Sequence, residues 1–409
     1  MTRPTHRTGT HRAAPFVAIA MTTPTIASAL GIDGGPIFQI MASENLGLDA
    51  RAIGVGFGLG VLSIPVQLWA ARMPLTRARR NLRLLFALYA AQLFVLALLV
   101  AFTARGERWA LIALVVTVAG EINLSVLYAP SWQPMLAYSL GTEARQRINS
   151  RARAAGGGLA AILLVVFGAL GEGPRIAMLA LIGAVAMTLA FALRTVSAPA
   201  PAPAPTNGEA RPDRPPLPAV MPRIFLALSM LAFGAWPVFL LYVNEVLWPS
   251  ANLGLVGAVQ IAGALGASAL WRATSADVTG RARVGVLVSA AAVAALATIR
   301  PPADGLIEQA VLVVAFGVAA AATSTAMMAM MELTHRVIDH DTAVRAMTIY
   351  DVIGSSSMQL GLLVGGVLVS FSVARADWAL DPYRIYLAAL AGLTIVVMHY
   401  LPRHDDDRS

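Results

Sequence analysis

Apolar residues run along this chain in long blocks, and the polar residues collect in short stretches between them. A helix needs about 20 mostly apolar residues to cross the hydrocarbon core of a bilayer. On that scale the blocks predict helices over 14–40, 52–73, 84–104, 109–138, 156–171, 175–193, 222–247, 252–271, 284–299, 307–332, 348–373 and 384–401. The third is the cleanest, with no charge between Leu84 and Ala104, while the fifth and ninth are short and open to extension at either end. Backbone polar groups in lipid must be satisfied within the protein, which a helix does for itself. The expected fold class is an all-α membrane protein of about twelve transmembrane helices.

Between the sixth and seventh blocks, residues 197–220 contain the run APAPAPAPTNGEARPDRPPLP. Proline at this density forbids a continuing helix and favours an extended, solvated chain. The predicted organisation is therefore a tail over 1–13, a six-helix bundle over 14–193, a linker over 194–221, a second bundle over 222–401 and a tail over 402–409. The halves also echo each other. Leu68-Trp69 is followed by Arg79 ten residues beyond the Trp, and Leu270-Trp271 by Arg281 at the same distance, so the two tryptophans stand 202 residues apart. Arg147 and Arg345 each precede a glycine by nine residues, Gly156 and Gly354. Two matches at similar offsets, with a linker between them, indicate an internal repeat and hence two pseudo-symmetric bundles.

Composition agrees with a lipid-facing exterior. Of the 409 residues, 57% are hydrophobic and 13% charged, against about 25% charged in an ordinary soluble domain. The net charge of +8 comes from arginines scattered between apolar blocks rather than gathered on one domain, so nucleic acid is not an expected partner. Orientation follows from the same residues. A cytoplasmic N-terminus leaves Arg51, Arg105, Arg108, Arg175, Arg300, Arg375 and Arg384 outside and the remaining 23 of the 30 basic residues inside. Cytoplasmic loops hold the excess of positive charge, so both termini are predicted to face the cytoplasm of a cell (plasma) membrane. The absence of cysteine excludes disulfides, thiol catalysis and thiolate metal sites. All basic residues apart from histidine are Arg, so no phosphate-binding G-x-x-x-x-G-K-[ST] loop exists. His6, His11, His335, His340, His399 and His404 lack ligand spacing. No enzyme, metal or cofactor is expected.

The loops between the second and third and between the eighth and ninth spans carry a recognisable pattern. The second copy reads Ala273-Thr274-Ser275-Ala276-Asp277-Val278-Thr279-Gly280-Arg281-Ala282, and the first reads Ala71-Arg72-Met73-Pro74-Leu75-Thr76-Arg77-Ala78-Arg79-Arg80. With six-plus-six spans and a long central loop, the chain resembles the major facilitator superfamily, whose loop signature is G-x-x-x-D-x-x-G-R-[RK]. The second copy keeps Asp277, Gly280 and Arg281. The first keeps the basic pair Arg79 and Arg80 but has Leu75 and Ala78 where Asp and Gly belong. The resemblance implies a secondary transporter with a cytoplasmic charge lock at these positions, in which carboxylate and guanidinium pair near a helix end. The same arginines also serve as topology signals.

Charges inside the blocks bear on mechanism. A carboxylate at the bilayer centre costs about 2.5–3.5 kcal/mol even on a permissive scale, so it faces a cavity, finds a partner or takes up a proton. Glu121 stands twelve residues into the fourth span, about 18 Å along the helix, and is the expected proton-coupling residue. Asp33 lies in the glycine-rich stretch GIDGGP and is either a second titrating or cation-binding site or a hydrated residue at the outer mouth. Asp351 is expected to be interfacial or Arg-paired, and Asn244 and Glu245 to form the rim of a cavity. Gln39, Asn123, Trp132, Trp236, Gln260 and Thr323 are candidates for its lining, although small polar residues also serve ordinary helix packing. The expected activity is proton-coupled export of a small amphipathic or apolar organic compound by a single chain, with proton-coupled uptake of a nutrient as the alternative. A membrane-embedded enzyme or a non-transporting sensor ranks below both.

Overall fold

The computed structural model describes residues 35–70, 75–102, 107–123, 157–195, 217–234, 238–273, 277–338, 342–374 and 378–401. Among them all regular structure is helical. The first half contributes α1 (Pro36–Ile40), α2 (Ala50–Gly58), which passes through a 3-10 stretch (Leu59–Ser63) into α3 (Ile64–Ala70), then α4 (Leu75–Ala101), α5 (Glu107–Asn123), α6 (Gly157–Ala169) and α7 (Glu172–Thr195). The second half contributes α8 (Met221–Phe233), α9 (Phe239–Tyr242), α10 (Leu253–Ala273), α11 (Val278–Leu296), α12 (Leu306–Val337), α13 (Ala343–Val373) and α14 (Pro382–Val396).

Local sequence sets the starts of these helices. A side-chain oxygen at the N-cap satisfies one of the free N–H groups of the first turn. Asp49 accepts from Ala52 N–H at 2.7 Å to open α2, Asn252 from Leu255 N–H at 3.1 Å to open α10, and Asp277 from Gly280 N–H at 3.2 Å to open α11. Asp381 accepts from Tyr383 N–H at 2.9 Å and Arg384 N–H at 3.2 Å, with Pro382 at the first helical position.

Five stretches among the described residues are long and apolar enough to cross a membrane: Ala50–Trp69, Val278–Leu296, Leu306–Val337, Arg345–Val373 and Pro382–His399. Large apolar side chains also point outward, among them Leu111 at 63% and Leu181 at 66% exposed. Helices apolar on all sides, with an apolar exterior, suit lipid rather than water. The chain is a multi-pass membrane protein.

Several predicted boundaries shift. The ninth block starts six residues earlier, at Val278, because Asp277 caps it. The seventh block, predicted as one helix over 222–247, is interrupted: α8 ends at Phe233, α9 begins at Phe239, and a π-helical turn (Val243–Leu247) follows. Of the first block only the part from Gly35 is described, and it too ends in a π-helical turn (Met41–Asn45). Leu46 N–H donates to the Met41 carbonyl at 3.0 Å and Trp248 N–H to the Val243 carbonyl at 2.6 Å. Both turns thus hold the same five-residue bond. Val243 stands 202 residues after Met41, the spacing that separates Trp69 from Trp271. Single π turns are rare and cluster at functional positions, and a matched pair marks the repeat in the backbone itself.

Both π turns lie at one end of the bundle, which the arginine pattern predicts to be the outer one and which we call the upper end. Hydrogen bonds tie its turns together. Ala303 N–H donates to the Leu247 carbonyl at 2.6 Å, Trp378 Nε1 to the Ile299 carbonyl at 3.0 Å, and Arg384 Nε to the Ala297 carbonyl at 2.7 Å. Arg175 does the same for the first half, reaching the Glu44 carboxylate at 2.7 Å, Asn45 Oδ1 at 3.1 Å and the Phe167 carbonyl at 3.0 Å. Buried Asp381 accepts from Tyr242 Oη at 2.6 Å and from Ser372 Oγ at 2.5 Å besides its two backbone bonds. The larger apolar core joins 37–57 with 238–258 in this upper region. A smaller one lies toward the lower end around Met221, Val278, Met330, Met347 and Val397.

Candidate functional site

The two halves meet where α2 crosses α13 and where α6 crosses α10, and at the upper end both crossings are glycine on glycine. A methyl group added at Gly54 would lie 2.8 Å from Gly366 Cα and 2.8 Å from the Leu362 carbonyl oxygen. One added at Gly168 would lie 2.7 Å from Gly254 Cα. Apart from Asn252 Oδ1 at 2.6 Å from the second of these methyls, the nearest atoms are backbone, which cannot swing aside. Small residues let membrane helices approach this closely. Gly254 follows Gly54 by 200 residues and Gly366 follows Gly168 by 198, so the two crossings are related by the internal repeat. Beside them the Glu245 carboxylate, from the second π turn, accepts a hydrogen bond from Ala50 N–H at the start of α2. This carboxylate, predicted at a cavity rim, thus joins the two halves.

Below the glycines the α2–α3 and α13 seam stays closed and becomes polar. A methyl at Gly58 would meet the Leu363 side chain at 2.7 Å, and one at Gly60 would meet the Gln359 amide at 2.5 Å. Further down, Ser355 Oγ donates to the Asp351 carbonyl at 2.8 Å and approaches Gln67 Oε1 at 3.5 Å, while Gln67 Nε2 donates to Ser63 Oγ at 2.6 Å. Asp351, Ser355 and Gln359 are four residues apart and so share one helix face. Gln359 is 1% exposed, and neither polar atom of its amide has a hydrogen-bond partner. Asp351 Oδ2 is likewise buried and unpartnered. The ion pair expected for Asp351 does not form among the described residues. The sequence points to Asp351 as interfacial or Arg-paired but gives Ser355 and Gln359 no distinction from ordinary packing residues. The four-residue spacing was the available signal.

The other predicted positions divide. Glu121 and Asn123 lie in the last turn of α5 as described, and Arg79 and Arg80 near the start of α4, with their side chains outside the described residues. Asp33, Trp132 and Trp236 also lie outside them. Gln39 is buried in α1, where α1 packs on α10, the helix that carries partly buried Gln260. Asn244 is partly buried in the second π turn. Thr323 joins α12 to α11 through a 2.7 Å hydrogen bond with Ser289 Oγ.

At the lower end Asp277 spends one oxygen on the α11 cap, and Arg281, one turn into the helix, lies within electrostatic reach of Asp277 and of Arg336 on α12. Arg336 in turn lies 3.7 Å from the Glu332 carboxylate. Across the α11–α12 contact the two arginines thus face each other, each with an acid close by on its own side.

No protein-family model and no curated protein matches the sequence. Solved structures do match along nearly the whole chain. A bacterial homologue of the iron transporter ferroportin, in its outward-facing state, is 16% identical with a TM-score of 0.63 over 95% of this chain and 98% of its own. The same homologue in its inward-facing state gives 14% and 0.53 over 94% and 99%. The human organic anion transporter MFSD10 gives 14% and 0.60 over 98% and 100%. These similarities, together with the helix order and the backbone repeat, show that the chain has the major facilitator fold.

Proposed function

We propose that the chain is a secondary transporter that exports a small amphipathic or apolar organic compound in exchange for protons. In this reading the bundles 14–193 and 222–401 rock about a central cavity, with 194–221 as a cytoplasmic tether and both termini in the cytoplasm. The observation that carries it is the pair of glycine crossings related by the repeat. Two symmetric seams that close backbone on backbone at one end are what two rigid bodies need to seal that end and then part. Here the α2–α3 and α13 seam is shut from Gly54 and Gly366 down to Gln67 and Ser355, which fits an occluded intermediate.

Glu121 and Asp33 are the coupling acids in this proposal. Gln39, Asn123, Trp132, Trp236, Asn244 and Gln260 are nearest the cargo, and Asp277, Gly280, Arg281, Arg79 and Arg80 form the lower gate. The matched structures are named as transporters of cargo as different as iron and organic anions, so the fold supports transport without fixing the compound. The test uses purified protein in proteoliposomes under an imposed pH gradient. Glu121→Gln should abolish proton-linked flux while leaving the protein folded, and undiminished coupling removes Glu121 from the mechanism. Reversing the gradient separates export from uptake.

A further inference from the structure

The α2–α3 and α13 seam shuts over one neutral amide that the proposed transport cycle does not use. We propose that Gln359 acts as an opener of this seam: its amide has no hydrogen bond while the seam is shut and gains them when the seam parts. Gln359 lies sixteen residues into the 31-residue α13, about 24 Å from its lower end. It is 1% exposed, and both polar atoms of its amide are sealed and unpartnered. The polar residues nearest it across the seam bond to one another instead. Gln67 Nε2 donates to Ser63 Oγ at 2.6 Å, and Ser355 Oγ donates to the Asp351 carbonyl at 2.8 Å.

Elsewhere in the two seams an aliphatic side chain does the same packing. A methyl at Gly58 would lie 2.7 Å from Leu363 Cβ, one turn above Gln359 on the same helix. In the α6–α10 seam a methyl at Gly157 would lie 2.5 Å from Leu265 Cδ2. Gln359 covers Gly60 in the same way, with Nε2 at 2.5 Å from the equivalent point. A side chain of this length therefore suits the place, but the amide adds a cost that Leu363 and Leu265 do not carry. An amide has donors and an acceptor to satisfy, and sealing them without partners disfavours the sealed state. Parting the seam returns those bonds, to water or to a polar edge of the cargo. The penalty thus falls on the closed state alone and offsets part of what close packing at Gly54 and Gly366 contributes. Because the amide carries no charge, this device works without Glu121 or Asp33. It rests on the transporter reading only for its use in a cycle.

The chain has no cysteine, so spin labels at Leu68→Cys on α3 and Val337→Cys at the lower end of α12 report the lower end without cargo or a pH gradient. Gln359→Met and Gln359→Leu remove the amide and keep most of the side-chain volume. Each should lower the open-to-closed ratio by about tenfold and raise the thermal midpoint in detergent. Leu363→Met, which removes no polar group, should leave the ratio within about twofold. A side chain that merely packs would instead lose stability in both Gln359 variants. An unchanged ratio, or a lower thermal midpoint, in whichever Gln359 variant folds overturns the proposal. Glu121→Gln in the same background should leave the shift in place, and a shift lost there also overturns it. If the unaltered protein shows no proton-linked flux while the label shift appears, the transport reading fails and the seam inference stands.

Discussion

At the residue scale, some buried polar groups are densely hydrogen-bonded while others, such as the Gln359 amide, have no partner. Asp381 is the densest example, since one carboxylate receives Tyr242 Oη, Ser372 Oγ and two backbone N–H groups. Asp381→Ala strands those donors in a buried site and should cost on the order of 3 kcal/mol, seen as a lower thermal midpoint in detergent, whereas Asp381→Asn should recover part of it. Asp351 shows the limit of reading residues singly. In the sequence it is one more acid near a loop rich in arginine, and pairing was the sensible expectation. What the sequence does not carry is which helix face turns toward α2–α3, and that decides whether a guanidinium can reach it. Thr323 is a second case. A Thr in an apolar helix suits a cavity or a packing bond, and its bond to Ser289 on α11 depends on a neighbour the sequence does not place.

At the element scale, the legible features were those written in local sequence. Apolar blocks coincide with the described helices, and Asp277 moved the start of α11. The π turns were not legible, because the tertiary setting imposes them, whereas the break in the seventh block falls in a stretch that holds Gly234 and Pro237, two helix breakers the sequence displays. The glycine crossings yield a direct prediction. Gly54→Leu or Gly254→Leu inserts volume where only backbone lies within reach, at a cost of about 1–3 kcal/mol. The upper end should be propped open, lengthening the distance between labels at Gly173→Cys and Ser250→Cys and stopping transport. Gly158→Leu on α6 is the control, since nothing lies within 4 Å of a methyl there, and it should leave both readings unchanged.

At the scale of the whole molecule, the repeat was visible in the sequence as two faint matches near 200 residues and reappears in the structure as paired π turns and paired crossings. The halves are not chemically equal. The polar row from Asp351 through Ser355 to Gln359 belongs to the second half, while the acids expected to couple protons, Asp33 and Glu121, belong to the first. If the linker only tethers, replacing 198–218 by an equal length of Gly and Ser should keep flux within about twofold of the original; a larger loss would give that segment a role in gating. The upper seam has a last consequence. Because it closes through main chain, it presents no side-chain chemistry for a cargo to match or offend. Its closing energy is set apart from recognition, so variants selected for new compounds should accumulate changes around the cavity and leave the four glycines untouched.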